Sequence, residues 1–313
     1  MPSVSIIIPT YNRPELLPRA VNSARAAGTD VEIIVVDDAS QDETAAVCRK
    51  LAGINYIRLD RNQGVAGARN LGILASSAEF IAFLDDDDLR LPGSLAMQTA
   101  KLAAAPEIGF ICGAMLIADQ NYRLTGEILT PAQVHGDVFW KLLELDFPVM
   151  PLSTVIRKQC LLSVGLLNGC LSGIDDWDIL VRIAELFPVM TIPEPVGIYR
   201  QPAPYSGQGS SVQSGQLAHA AKHQLQLFAL PRVRTATKSQ RKAIRQRTIN
   251  RVADTLLWSA WRSLPQKEFA FAAANIVTAL RLNPLRAFRA AVFRRMGNIL
   301  NDRWLARNTD PTG

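Results

Sequence analysis

Cysteine and histidine are scarce in this chain, with four of one and three of the other among 313 residues. Cys48, Cys112, Cys160 and Cys170 show neither paired CxxC spacing nor the density of a secreted disulfide scaffold, so reduced thiols are expected. Long apolar runs are missing as well. The longest, Ile108 to Ala118 and Phe269 to Leu280, fall short of the roughly 18 residues that a membrane-crossing helix needs. No basic stretch followed by an apolar run opens the sequence, which points to a chain made and kept in the cytosol. Gly64, Gly67 and Gly72 miss the GxGxxG spacing, so a dinucleotide fingerprint has no support. What the chain does have is apolar material: 48% of its residues are hydrophobic, enough to exclude disorder and to build one large or two modest domains.

Charge is unevenly divided. Residues 1–213 carry 16 Lys and Arg against 24 Asp and Glu, a net of −8, whereas residues 214–313 carry 18 against 4, a net of +14; together they give the overall +6. One end is built to face cations and the other to face anions. The stretch SGQGSSVQSGQ, 206–216, is Ser, Gly and Gln in all but one position and reads as a flexible loop. Three parts are therefore expected: 1–205, the loop 206–216, and a helical basic region over 217–313.

Near-continuous apolar or β-prone runs of strand length, Val4 to Ile8, Val31 to Val36, Ile54 to Leu59 and Glu79 to Leu84, alternate with helix-length stretches Glu15 to Ala27, Gln41 to Ala52 and Val65 to Ser76. That rhythm predicts βαβ units and a mostly parallel central sheet with flanking helices. Further on, a helix is expected over Leu91 to Ala104, strands near Ile108 to Ala118 and Leu124 to Leu129, a helix over Asp175 to Phe187 and a strand over Val196 to Arg200. Ligands of such sheets collect beyond the carboxyl ends of the strands. PTYNRP, DDAS, RNQGVAGARN and DDDD each follow one of the first four strands, so they line one edge.

Each constellation has a bland reading beside a chemical one. Asp85 to Asp88 crowd four negative charges where a strand ends. In an extended strand Asp85 and Asp87 point the same way and Asp86 the opposite way. Their carboxylates suit Mg²⁺ or Mn²⁺ completed by the oxygens of a diphosphate. The competing reading is a solvated acidic turn capping the helix that starts near Leu91, a role open to Asp88. Asp37 and Asp38 either cap a helix or accept an N–H from a nucleobase. PTYNRP is a turn, or a site with an aromatic ring for stacking a base. GVAGARNLG opens a helix whose N-terminus, with Arg69, attracts phosphate. Of Asp175, Asp176 and Asp178 at another helix start, capping accounts for one, and Asp178 is the surplus acid that spacing alone offers as a general base.

Taken together, VSIIIPTYNRPELLPRAVNS, VEIIVVDDASQDET, IRLDRNQGVAGARNLGI, EFIAFLDDDDLRLPGSL and GIDDWDILVRIA resemble the family 2 glycosyltransferases, in family order and spacing over residues 4 to about 200. The resemblance implies a Rossmann-like α/β sheet of the glycosyltransferase A fold, with 1–205 as the nucleotide-sugar-binding and catalytic domain. It implies that Pro9, Thr10, Tyr11 and Arg13 border the nucleotide, with Thr10 and Tyr11 flanking the base, and that Asp38 accepts the base's imide N–H, which favours UDP- or dTDP-sugars. Arg69 would lie beside the nucleotide and Asp86 near the ribose. The DxD motif falls on Asp85, Asp86 and Asp87, making Asp87 and Asp85 the ligands of Mn²⁺ or Mg²⁺. Asp176 inherits the catalytic-base role, and Asp175, Trp177 and Arg200 fall on the acceptor or diphosphate side. Two departures stand out: the usual Glu-Asp pair reads Asp175-Asp176, and no His follows Tyr199-Arg200. The QxxRW signature of processive members is absent, so one sugar per encounter is expected.

The implied activity is inverting, metal-dependent sugar transfer to an acceptor hydroxyl, in cell-envelope polysaccharide or glycolipid assembly. A sugar-nucleotide pyrophosphorylase would show glycine in the loop after the first strand, and PTYNRP has none. A nucleotide-sugar sensor or membrane scaffold without turnover is the alternative. At the basic end, Leu285, Phe288, Val292 and Met296 form a helical stripe among Arg286, Arg289, Arg294 and Arg295. This reads either as a helix packed on the catalytic domain or as peripheral attachment to an anionic membrane on its cytoplasmic face, beside a glycan or lipid-linked acceptor. No motif accompanies the charge to suggest nucleic acid.

Overall fold

The computed structural model describes residues 2–147, 149–171, 175–201, 225–264 and 267–285. The chain folds as two compact units: one spans Met1–Leu142 and Phe147–Gln201, and the other takes Leu143–Asp146 with the chain beyond Gln201. The expected loop 206–216 and the stripe beyond Leu285 lie outside the described residues.

The first unit opens with strands β1 (Val4–Thr10), β2 (Val31–Asp37), β3 (Asn55–Arg58) and β4 (Phe80–Phe83), alternating with helices α1 (Leu17–Ala26), α2 (Thr44–Lys50) and α3 (Gly64–Ala75). It continues through β5 (Leu89–Arg90), α4 (Ser94–Ala103), β6 (Phe110–Ala118), β7 (Leu124–Leu129), β8 (His135–Gly136), α5 (Phe139–Leu143), β9 (Thr154–Arg157), α6 (Lys158–Val164), α7 (Asp175–Leu186) and β10 (Val189–Arg200). The sheet runs β3-β2-β1-β4-β9-β6-β10-β5, with β7 on β6 and β8 on β10.

The β3-β2-β1-β4 block is parallel, as the alternating rhythm predicts. Beyond it the sheet is mixed: β9 lies antiparallel between β4 and β6, while β10 runs parallel to β6. β1 is buried along its whole length because both faces are covered. Ile6 and Ile8 join Leu17, Val21 and Ala24 of α1 in one core. Ile7 meets α3 on the other side, where Gly72 approaches so closely that a Cβ would collide with it. β10 begins earlier than the expected strand, since Pro193 and Pro195 interrupt the apolar pattern where the register with β6 shifts. The expected helix start at Leu91 moves to Ser94, after Gly93 turns the chain at φ 72°.

In the second unit, α8 (Pro231–Thr235), α9 (Lys238–Ser263) and α10 (Phe269–Leu282) are helical, as the sequence predicts. Thr237 caps α9 through a reciprocal bond with Gln240. Val252, Ala253 and Leu256 of α9 pack against Ala279 and Leu282 of α10. Arg247 and Arg251 pair with Glu144 and Asp146.

Candidate active site

The register of the parallel block determines where the chemistry collects. Thr10 pairs with Asp37 and Asp37 with Arg58, so β1, β2 and β3 end together. The loops that follow bend sharply, with Asn12 at φ 53° and Ala39 at φ 64°. They clasp each other: the Asn12 N–H donates to Ser40 Oγ at 2.9 Å and the Gln41 N–H to Asn12 Oδ1 at 2.8 Å. Such backbone angles are costly for residues with side chains and persist where surrounding contacts enforce them. Pro9 lies within β1, Thr10 closes it buried, and Tyr11 stands exposed at the rim.

β4 stops at Phe83, and the four aspartates form a turn closed by the Asp88 N–H donating to the Asp85 carbonyl at 3.1 Å. The extended arrangement expected for them is therefore replaced, and each acid goes its own way. Asp86 turns inward and accepts from Thr10 Oγ1 at 2.7 Å and Arg13 Nη1 at 2.9 Å. Asp87 accepts from the same Arg13 nitrogen at 3.0 Å, with Arg200 at 3.8 Å. Asp88 accepts the Arg200 backbone N–H at 2.8 Å instead of capping a helix. Asp85, partly exposed, pairs with Arg69 at 2.7 Å.

Asp85, Asp87 and Asp88 each offer a carboxylate oxygen, all within 4.8 Å of one another. Hard oxygen donors clustered in this way fit Mg²⁺ or Mn²⁺. Asp88 thus joins the expected pair, and Asp86, held by Thr10 and Arg13, stands outside the cluster. Burial drives the acids upward: Asp86 is pushed to about 6 against the pull of Arg13, and Asp87 also rises. Asp88 rises well above its ordinary value, through burial first and then through Asp85 and Asp87. Crowded acids that resist ionisation in this way are a common signature of functional sites.

Arg69 is buried and carries the arrangement across to α7. Its Nη2 meets Asp85 and its Nη1 meets Asp175 at 3.3 Å. Its guanidinium also lies 5.4 Å from the Phe83 ring centre. Asp176 follows at the start of α7, beside an apolar cleft lined by Phe83, Ile156, Leu167, Ile179 and Leu180. Burial, then the neighbouring Asp175, pushes the Asp176 carboxyl up to about 6, with Arg69 pulling the other way. Trp177 is anchored by its Nε1–H to the Leu142 carbonyl at 2.9 Å. Asp178, the acid that spacing singled out, is instead engaged with Arg182 at 2.7 Å, an i,i+4 pair on α7.

Asp38 is buried and accepts the Gln63 N–H at 2.6 Å, at the entry to α3. Burial raises its pKa and that bond opposes the rise. Its neighbour Asp37 is structural, taking the Ser40 N–H and the Tyr56 hydroxyl.

Tyr122 carried no signal in the sequence. It sits in the β6–β7 turn at φ 62° and donates to the Asp87 carbonyl at 3.0 Å. Arg19 and Arg200 stack on its ring at 4.2 and 5.3 Å. Three arginines, 13, 19 and 200, thus gather around the acidic turn through contacts that span the chain.

The sequence profile of glycosyl transferase family 2 matches residues 5–153. Residues 5–153 thus carry a family 2 glycosyltransferase domain. An uncharacterized glycosyltransferase of Haemophilus influenzae is 27% identical over 58% of this chain and 62% of its own length. A Campylobacter jejuni relative, GalNAc(5)-diNAcBac-PP-undecaprenol beta-1,3-glucosyltransferase, is 39% identical over 35% of this chain and 38% of its own. The chain therefore spans less than two thirds of the length of these curated relatives. The structure of Staphylococcus aureus TarS 1-349 in complex with UDP-GlcNAc aligns over 94% of this chain and 93% of that one, with TM-score 0.54 and 18% identity, and so shares its fold.

Proposed function

We propose that this chain transfers one sugar per encounter from a nucleotide-diphosphate donor to an acceptor hydroxyl, with inversion at the anomeric carbon. The observation that carries the reading is Arg69, which joins Asp85 of the acidic turn to Asp175 beside Asp176 and so couples the donor end of the site to the base. Asp85, Asp87 and Asp88 would hold Mn²⁺ or Mg²⁺, which when bound supplies positive charge to the diphosphate as it leaves. Arg13 and Arg200 border the same position and add to that charge. Asp176, once ionised, takes the proton of the acceptor hydroxyl as its oxygen attacks the anomeric carbon. The bond to the diphosphate breaks on the opposite face, and inversion results.

Tyr11, exposed beside Thr10, supplies a ring for base stacking, and Asp38 is the acid at the neighbouring strand end. A uracil or thymine nucleotide is the donor class these residues favour, and the UDP-GlcNAc complex of the TarS fold relative agrees with it. A glycan or lipid-linked acceptor in cell-envelope assembly agrees with the names of relatives such as succinoglycan biosynthesis protein ExoO and the undecaprenol-linked glucosyltransferase. Peripheral contact with the cytoplasmic face of a membrane belongs to the same reading. No helix among the described residues is long and apolar enough to cross one.

Asp176→Asn is the test. Transfer should fall by roughly a thousandfold while Mn²⁺-dependent UDP binding stays intact. Unchanged transfer removes Asp176 from its role, and nucleotide binding with no turnover in the native chain makes it a sensor.

A further inference from the structure

We propose that the outward face of α10, with the aromatic residues leading into it, is a docking surface for an anionic lipid membrane. This deepens the membrane contact of the proposed function and rests on that part of it, not on sugar transfer. α10 reads FAFAAANIVTALRL and is apolar nearly all the way round, with Arg281 its only charge. Phe271, Ala272, Asn275 and Ala279 form its buried side. Phe269, Ala273, Ile276, Val277 and Leu280 recur at i, i+4, i+7, i+8 and i+11 on the opposite side, and all are exposed, Phe269 at 64% and Val277 at 45%. A helix apolar on both sides is normally covered on both.

The end of α9 continues the pattern. Trp258 is exposed there, and Trp261 reaches 61% exposure just before Leu264, also exposed. Paired tryptophans with an apolar body and an N–H tip suit the boundary between hydrocarbon and headgroups. Charge identifies the occupant. Residues 225–285 carry eleven Lys and Arg against two Asp and Glu, and exposed Lys267 and Arg281 flank the apolar face. A second copy would bring the same excess of positive charge, whereas anionic headgroups neutralise it while the acyl boundary takes up the apolar side chains. α10 is too short to span a bilayer, so it would lie in the plane of the interface.

The full-length protein should co-sediment with vesicles of phosphatidylcholine and phosphatidylglycerol, but not with phosphatidylcholine alone, and high salt should release it. Trp261→Ser and Val277→Glu replace exposed side chains, and each should lower the partition coefficient roughly tenfold. Circular dichroism and Mn²⁺-dependent UDP binding should stay as in the native chain. Failure to bind the mixed vesicles overturns the proposal, as do variants that partition like the native protein. A lipid-free dimer that Val277→Glu dissociates also overturns it, by making a second copy the occupant. Vesicle binding that persists in a chain unable to bind UDP would instead count against the sugar-transfer reading alone.

Discussion

The two units use arginine in opposite ways. In the first, Arg13 lies between Asp86 and Asp87, Arg69 between Asp85 and Asp175, and Arg182 holds Asp178. Even Arg90, buried without a carboxylate, is gripped by Gln98 Oε1 at 2.9 Å and the Thr154 carbonyl at 2.7 Å, and burial pulls its pKa down to about 9. In the second unit the acids of the short segment Leu143–Asp146 engage Arg247 and Arg251, while many other cations face solvent. A cation enclosed with its partners fixes geometry, because leaving either charge uncompensated is costly. Cations spread over a surface make a field, whose value lies in attracting an extended anionic partner and which salt weakens.

That contrast can be broken or sharpened by substitution. The largest effect is expected from Arg69→Met, which strips two acids of their shared partner. It should cost about 3 kcal/mol, a fall in melting temperature of roughly 6–12 °C, with loss of transfer. Next is Asp88→Asn. In the native chain Mn²⁺ and UDP together should raise thermal stability by mass action. The substitution should weaken that ligand pair about tenfold, or about 1.4 kcal/mol, and equal stabilisation in both proteins would remove Asp88 from the metal set. The acidity of Asp176 predicts a pH profile. Raised to about 6, it is protonated and idle below that pH and ionised above it. kcat/KM should therefore climb with pH through about 6 and then level off, whereas a rate independent of pH from 5 to 7, on the order of that pKa, would point to another base. The smallest effect belongs to Arg247→Ala. Its side chain is half exposed, so loss of the Glu144 pair should cost under about 1 kcal/mol in urea unfolding. A cost like that of Arg69→Met would erase the distinction between the units.

Much of the site was legible because local rules place it. Apolar runs of strand length with helices between them prescribe a parallel block, and a parallel block gathers the residues after each strand at one edge. Asp85 and Asp87 fall at that edge by this rule, whereas Asp176 and Arg13 were singled out through the family resemblance. Capping a helix was a role open to Asp88 in the sequence, because its partner in the fold, the Arg200 backbone N–H, lies more than a hundred residues away. Asp178 drew attention for its charge, yet its partner Arg182 was one helical turn along and visible in principle. Tyr122 was invisible, since nothing in a turn sequence reveals that its hydroxyl will reach the Asp87 carbonyl. The antiparallel entry of β9 between β4 and β6 also escaped notice, because strand order depends on contacts between distant segments.

Periodicity and charge along the chain were enough to dictate the parallel block, the acidic rim and the basic helical end, since each is set by neighbours in sequence. Only the folded chain decided which acid takes which arginine, that Asp88 joins Asp85 and Asp87 in one carboxylate cluster, and that one guanidinium spans the turn and α7. Those choices depend on burial and on distances across the sheet, quantities that exist only once the strands have docked.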